Sequence, residues 1–391
     1  WCSQYEVELL SLLEAENSKA FILLKDGKIV YEWYFGNFTS DSLWYWASAG
    51  KTLVATLTGI AQEEVHLNIN DSTSMYLGSA WTSLSPTLEN QITIWNQLTM
   101  TTGLDDGVPD HYCTEPSCLI FIANPGTRWT YHNGPYTLID SVIEMTTGQS
   151  FNSYFNQKVR NKIGMGGIFT KVGYNRIYFS NARSMARFGL LILGKGKWNN
   201  TTVLGDSAYF NAMITPSQTL NKSYGYLWWL NGYESFIVPR SQLIILGPLF
   251  PDAPMQTIAG LGANGQFLNV VPNENLIWIR MGNSPVSSEV PYLLNNEIWK
   301  KIKKIQCLIG VEEQTDENTI SIYPNPHSEL FLIDIPKTSD IEILNALGQK
   351  INSMNNVMGK VEISSQGWES GLYLIKIKSG NSVEVKTIIK K

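Results

Sequence analysis

The chain has 391 residues, of which 43% are hydrophobic, and a formal net charge of −5. That length suits two domains, and the apolar fraction is ample for a buried core. No basic stripe is present, so nucleic acid is not an expected partner. No apolar run approaches the ~20 residues that would form a stable membrane span.

The first predicted elements are a hairpin and a helix. Two apolar runs within residues 20–34 flank Asp26-Gly27, a pair typical of two-residue hairpin turns. From Lys51 to Ala61 apolar residues recur at three- and four-residue spacing, which predicts an amphipathic helix.

Ser48 and Lys51 form an S-x-x-K motif at the start of this helix. Residues three positions apart share a helix face, so the lysine amine can reach the serine hydroxyl. Serine is a poor nucleophile unless a base lies beside it, and the amine would be that base. On this motif alone, a serine N-cap followed by a surface lysine remains the alternative.

A helix at 92–100 is followed by a loop that carries polar side chains suited to serine chemistry. Tyr131 and Asn133 come just after Pro125-Gly126. A tyrosine hydroxyl can relay protons, and an asparagine amide can hold both the lysine and a substrate. The intervening His132 either tunes this loop or faces solvent.

A glycine-rich turn lies near the end of the first domain. Gly260 and Gly262 precede a predicted strand, where glycine permits a substrate backbone to approach closely. The backbone amides of Ser48 and Ala263 are the expected donors of an oxyanion hole. The other elements expected here are a helix at 184–194, a hairpin joining strands 267–271 and 276–279, and a helix at 291–306.

Strands at both ends with helices between them indicate an α+β first domain, residues 1–311, whose first and last strands share one sheet. Residues 312–319 are polar and acidic and indicate a linker. Residues 320–391 contain short alternating strands separated by turn residues, which indicates a small all-β sandwich. This second domain shows no catalytic pattern, so we interpret it as a binding, spacing or sorting module.

The order of these motifs resembles the serine β-lactamase and penicillin-binding-protein superfamily over about residues 15–305. The resemblance is closest to class C β-lactamase-like esterases and the 6-aminohexanoate-dimer hydrolase. It implies a β-lactamase-like fold, in which helices flank an antiparallel sheet and a helical subdomain is added. The other segments that carry it are 59–63, 98–104, 125–127, 186–191 and 224–229.

The resemblance also implies a role for each candidate residue. Two-step acyl transfer would proceed through an acyl-enzyme that water then hydrolyses, and it needs no cofactor and no metal. The implied roles are nucleophile for Ser48, general base for Lys51, proton shuttle for Tyr131, orientation of the site for Asn133, and completion of the oxyanion hole for Ala263.

One departure from the superfamily bears on the substrate. Gly260-Leu261-Gly262 stands where β-lactamases and peptidoglycan peptidases usually present a Lys-Thr-Gly box. Without that cation, a charge-assisted contact to a substrate carboxylate is lost. We therefore expect a small-molecule ester or amide substrate rather than a penicillin.

Two other functions remain open at this point. One is a β-lactamase or D-amino-acid-specific peptidase, and the other is a non-catalytic receptor that keeps the fold and binds cell-wall fragments. The intact Ser48, Lys51 and Tyr131 argue against the receptor. We expect the loops around 105–125 and 230–258 to shape the substrate pocket.

The second domain resembles the C-terminal sorting domain of the type IX (Por) secretion system of Bacteroidetes. The segments that carry this resemblance are 323–326, 344–349, 371–374 and 386–391. It implies an Ig-like sandwich, transfer by the type IX secretion machinery, and a secreted or cell-surface location.

The four cysteines are candidates for disulfide bonds. Cys113 and Cys118 lack the companion ligands of a zinc site and, in an exported protein, indicate a short-loop disulfide. Cys2 and Cys307 flank the first domain and can pair only if its terminal helices pack together, which the sequence leaves open.

Overall fold

The chain divides into two units, Trp1–Leu308 and Ile309–Lys391. The expected linker at 312–319 lies outside the residues that the structure describes. The structure, a computed structural model, describes residues 1–285, 288–307, 320–346, 348–380 and 382–391.

A six-stranded antiparallel sheet forms the centre of the N-terminal unit. The strands of this unit are β1 (Ser18–Lys25), β2 (Lys28–Tyr34), β3 (Trp44–Tyr45), β4 (Ile168–Val172), β5 (Asn175–Ser180), β6 (Lys197–Trp198), β7 (Thr201–Thr202), β8 (Trp229–Leu230), β9 (Ser235–Phe236), β10 (Ile245–Leu246), β11 (Ile258–Gly262), β12 (Gln266–Val271) and β13 (Leu276–Gly282). The strand order of the sheet is β2-β1-β13-β12-β11-β8, so the first and last long strands are neighbours, as the sequence predicts.

Both predicted hairpins are present, and residues with positive φ form their turns. Asp26 and Gly27 have φ values of 51° and 73° between β1 and β2, as a tight hairpin turn requires. Between β12 and β13 the chain makes a short 3₁₀ turn, Pro272–Glu274, and leaves it through Asn275 at φ 49°.

Helices pack against the sheet and against one another. Their bounds are α1 (Glu6–Ala15), α2 (Lys51–Glu63), α3 (Ser74–Leu77), α4 (Pro86–Glu89), α5 (Ile94–Leu98), α6 (Asn133–Thr137), α7 (Ile139–Thr147), α8 (Phe151–Phe155), α9 (Ala182–Leu193), α10 (Ser207–Met213) and α11 (Tyr292–Ile305). No helix in the described part of the chain is both long enough and apolar enough to cross a membrane.

The helix predicted at 92–100 is shorter than expected. Thr93 and Asn96 form a reciprocal capping box that starts α5 at Ile94, two residues later than predicted. At the other end, Met100 has a φ of 60°, which no α-helix continues through.

Two disulfide bonds are present in the N-terminal unit. Cys2 is bonded to Cys307, with a Cα–Cα distance of 5.5 Å, and the Cys2 amide donates to the Ile305 carbonyl at 2.7 Å. Cys113 is bonded to Cys118 across a short loop.

The C-terminal unit is all β, and its isoleucine-rich core includes Ile333, Ile343 and Ile375. Leu330–Asn345 forms one long strand rather than the short strands that the sequence predicts, because residues 336–340 form an irregularity in the pairing rather than a break. The strands are β14 (Ser321–Tyr323), β15 (Leu330–Asn345), β16 (Lys350–Ser364), β17 (Gly371–Ser379) and β18 (Ser382–Lys390).

Candidate active site

Ser48 lies in a tight 3₁₀ turn, Ala47–Gly50, that runs directly into α2. Ala47 has a φ of 45°, a left-handed conformation that costs an alanine about 1 kcal/mol. The turn is fixed at its base, because the Trp46 amide donates to the Tyr178 carbonyl at 2.8 Å and the Trp46 indole donates to Ser180 Oγ, also at 2.8 Å.

Lys51 points along α2 towards this serine. Its Nζ donates to Ser48 Oγ at 2.9 Å and to Asn133 Oδ1 at 2.7 Å, and it lies 4.2 Å from the ring centroid of Tyr136. The side chain is only 4% exposed, and burial lowers the pKa of Lys51 to about 7, a shift that the charge of Glu289 opposes. A lysine in this environment is neutral in a large fraction of molecules near neutral pH and can accept a proton.

Tyr131 is the second titratable group at the serine. Burial raises its pKa well above the usual value, and the nearby Ser48 hydroxyl opposes that shift as a hydrogen-bonding partner. The ring stacks on Trp229 with centroids 5.7 Å apart, which fixes its orientation. Tyr131 therefore keeps its proton at neutral pH and is suited to donate or relay one.

A cleft of about 420 Å³ opens above Ser48 and Lys51. Most of its surface is apolar or aromatic, and the hairpin of β4 and β5 forms one wall. Asp110 and Tyr112, from the loop expected at 105–125, line the cleft, whereas Arg240, from the loop expected at 230–258, lies behind them, with its Nη1 3.1 Å from His111 Nδ1. The main lining side chains are Tyr45, Asp110, Tyr112, Tyr136, Tyr174 and Arg176.

The glycine-rich strand β11 lies against the Ser48 turn. A Cβ on Gly262 would lie 2.6 Å from the Trp46 carbonyl oxygen, and one on Gly260 would lie 3.3 Å from the Ala49 carbonyl oxygen. These glycines therefore let the strand pack closely against the backbone of the Ser48 turn, and neither is a lining residue of the cleft. Ala263, the next residue, does line it beside Ser48.

The structure places two further titratable side chains, His132 and Glu289, near the site. His132 is 2% exposed, so it does not face solvent, and burial lowers its pKa to about 4. Glu289 is a new component: its Oε1 lies 3.2 Å from His111 Nε2 and 3.7 Å from Arg240 Nη1. No motif marks Glu289, because only the fold brings it near Lys51.

The comparison with protein families agrees with this geometry. Residues 14–298 match the family model described as Beta-lactamase. The chain belongs to the β-lactamase family. Members of this superfamily are generally serine hydrolases, and the chain's expected β-lactamase-like fold is confirmed.

The tail has its own match. Residues 321–391 match the model of the secretion system C-terminal sorting domain, which confirms the resemblance seen in the sequence. The protein is thus handled by the type IX secretion machinery and is secreted or displayed at the cell surface.

Known proteins of the same fold include hydrolases. A 6-aminohexanoate-dimer hydrolase candidate from Bacillus anthracis is 18% identical with a TM-score of 0.60, and the match covers 76% of this chain and 82% of that one. A family VIII carboxylesterase is 16% identical with a TM-score of 0.56, covering 76% and 97%. An uncharacterised protein of Alkalihalophilus pseudofirmus is 23% identical over 317 residues, 71% of this chain and 87% of that protein.

Proposed function

We propose that this protein is a secreted hydrolase that cleaves small-molecule esters or amides through an acyl-enzyme on Ser48. The observation that carries the proposal is the contact between the buried Lys51 amine and the Ser48 hydroxyl, 2.9 Å apart. A base held this close, with its pKa lowered by burial to about 7, can take the serine proton near neutral pH.

In the first step neutral Lys51 takes the Ser48 proton while Oγ attacks the substrate carbonyl carbon. Asn133 stabilises the lysine throughout, because its Oδ1 accepts a hydrogen bond from Nζ at 2.7 Å. As the bond from the carbonyl carbon to the leaving oxygen or nitrogen breaks, Lys51 returns its proton through Tyr131, which passes its own proton to the leaving group and takes one from the lysine. Neutral Lys51 then takes a proton from the water that attacks the acyl-enzyme, and that proton passes to Ser48 Oγ as the bond from Oγ to the acyl carbon breaks.

The backbone amides of Ser48 and Ala263 are the donors that we assign to the developing oxyanion. Both residues line the cleft. Because Gly260 and Gly262 have no side chains, β11 can lie directly against the Ser48 turn. Preorganised donors of this kind stabilise the tetrahedral intermediate without reorganisation during the reaction.

The charges along the cleft support an ester or plain amide over a substrate with a fixed carboxylate. Among the described residues, the cationic side chains that line the cleft are Lys51 and Arg176. The Arg176 guanidinium donates to Glu144 Oε2 at 2.8 Å and lies 3.7 Å from Asp140 Oδ2. Because Glu144 already balances its charge, Arg176 offers little attraction to an anionic substrate group.

The test is a panel of p-nitrophenyl esters, linear amides, D-peptides and nitrocefin, assayed with the wild type, Ser48→Ala and the control Ser42→Ala. Ser42 is a serine that does not line the cleft, and its hydroxyl accepts from the Thr39 amide at 2.9 Å. We expect ester turnover that Ser48→Ala abolishes and Ser42→Ala leaves intact.

Unchanged ester turnover in Ser48→Ala would refute the nucleophile assignment. Rapid nitrocefin turnover would favour a β-lactamase. A wild type that neither turns over the panel nor reacts with a fluorophosphonate would favour a receptor.

A further inference from the structure

The turn that follows β11 is fixed from behind at each of its three carbonyl oxygens. The Ala263 carbonyl accepts from Gln266 Nε2 at 3.2 Å, and the Asn264 carbonyl accepts from the Ser284 amide at 3.0 Å. The Asn264 and Gly265 carbonyls both accept from Arg280 Nη1, at 3.3 Å and 2.7 Å. Peptide planes whose carbonyls are held in this way cannot rotate, so the amides of Asn264, Gly265 and Gln266 keep one direction. Gln266 in turn pairs with Gly262 across the hairpin.

Arg280 reaches this turn from the middle of the sheet. It lies on β13, opposite Phe21 of β1 and Phe267 of β12, and its side chain is fully buried. Besides the turn, its guanidinium donates to Ser18 Oγ at 2.8 Å and to the Glu16 carbonyl.

The space around the guanidinium is shaped for an arginine. A Cβ on Gly265, at φ +81°, would lie 2.1 Å from Nη1, and a Cβ on Gly282 would lie 2.5 Å from Nη2. Burial lowers the pKa of Arg280 to about 10, and the charge of Glu16, which forms no direct ion pair with it among the described residues, opposes that shift. A buried cation bound chiefly to backbone carbonyls is costly, which argues for a purpose beyond packing.

We propose that Arg280 is a positioning residue of the reaction that directs the Ala263 amide at the oxyanion formed on Ser48. By fixing the 263–265 turn it keeps Gln266 paired with Gly262, and the Gly262 carbonyl shares a peptide plane with the Ala263 amide. The planar guanidinium binds the turn through Nη1, the Glu16 carbonyl through Nη2 and Ser18 through Nε, a fixed arrangement of donors that the compact ammonium of a lysine cannot reproduce. The inference rests on the proposed hydrolase, since it concerns the same intermediate. It predicts that Arg280 affects the transition state and leaves substrate binding and the lysine base unchanged.

The test is Arg280→Lys, assayed with a p-nitrophenyl ester and with phenylboronic acid, which forms a tetrahedral adduct on a nucleophilic serine. Loss of one oxyanion donor typically lowers kcat about 10²–10³-fold, so we expect misdirection of the donor to lower kcat at least about tenfold. KM should stay within about threefold and the inhibition constant of phenylboronic acid should rise by about the same factor as kcat falls. The midpoint of the pH–rate profile should not move, because Lys51 sets it.

Two further variants separate positioning from general stability. Ser18→Ala removes a hydrogen bond of Arg280 on the side away from the turn, and kcat should stay within about threefold. Gly282→Ala keeps Arg280 and the turn sequence but pushes the guanidinium away, and it should reproduce the loss of kcat and of boronate affinity.

The proposal is overturned if folded Arg280→Lys retains the wild-type kcat, if only KM changes, or if Ser18→Ala loses as much as Arg280→Lys. Failure of both Arg280→Lys and Gly282→Ala to fold would assign Arg280 to sheet stability and would overturn it equally. Absence of Ser48-dependent turnover in the wild type would instead refute the proposed function, so the two failures are distinguishable.

Discussion

Lys51→Met should make the hydrolase domain more stable, and by an amount that depends on pH. The substitution keeps an unbranched side chain of similar length but removes the amine that must be desolvated when the protein folds. Burial lowers the pKa of Lys51 from 10.5 to about 7, so folding favours loss of its proton.

The size of the effect follows from the shift. Each pH unit of pKa change is about 1.4 kcal/mol, so the buried amine costs about 5 kcal/mol of folding free energy below pH ~7. Between pH ~7 and ~10.5 the unfolded chain keeps the proton and the folded protein does not, so the stability of the wild type rises with pH. Relative to the wild type, the advantage of Lys51→Met should therefore shrink by about 2–3 kcal/mol between pH ~6.5 and ~9.

Urea unfolding followed by tryptophan fluorescence measures this difference, because every tryptophan except Trp368 belongs to the N-terminal unit. The loss of the Asn133 contact shifts the Lys51→Met curve by the same amount at every pH, so it cancels in the pH dependence of the difference. A stability difference that is the same at both pH values would mean that Lys51 stays charged in the folded protein. That result would refute its assignment as the general base.

Three further predictions concern Glu289, the glycines of β11 and the Cys2–Cys307 bond. Glu289→Gln removes a charge that raises the pKa of the lysine base, so the pH–rate midpoint, expected near 7, should move to lower pH; an upward shift would contradict this. Gly262→Ala places a Cβ 2.6 Å from backbone oxygen and should lower kcat/KM about 10–100-fold, whereas Gly260→Ala, whose nearest contact is 3.1 Å, should lose less in the same ester assay. Cys2→Ser breaks the bond to Cys307 and should lower the free energy of unfolding by about 2–5 kcal/mol, with reductant then having a smaller further effect.

Local patterns in the sequence predicted the parts of the site that depend on local geometry. Ser48 and Lys51 share a helix face by spacing alone, and the structure places their side chains in contact. The shared sheet of the first and last strands also follows from their positions in the chain, because a single α+β core has to join its ends.

The rest depends on tertiary contacts that no short pattern encodes. Glu289 comes near Lys51 only through the packing of the segment before α11, and Arg280 looks like an anomaly in an apolar strand until the 263–265 turn is placed above it. The β4–β5 hairpin could not be predicted as a wall of the cleft, because its distance in sequence from Ser48 gives no indication of its place in space.

The Cys2–Cys307 bond makes the hydrolase domain a single covalent ring. The residues proposed for catalysis, from Ser48 to Ala263, all lie on this ring. A protease in the surrounding medium that cuts one exposed loop would open the ring without separating its pieces, since both ends of the cut stay joined through the disulfide. A secreted or surface-displayed protein thereby keeps its proposed nucleophile and oxyanion donors in one molecule after a first cleavage.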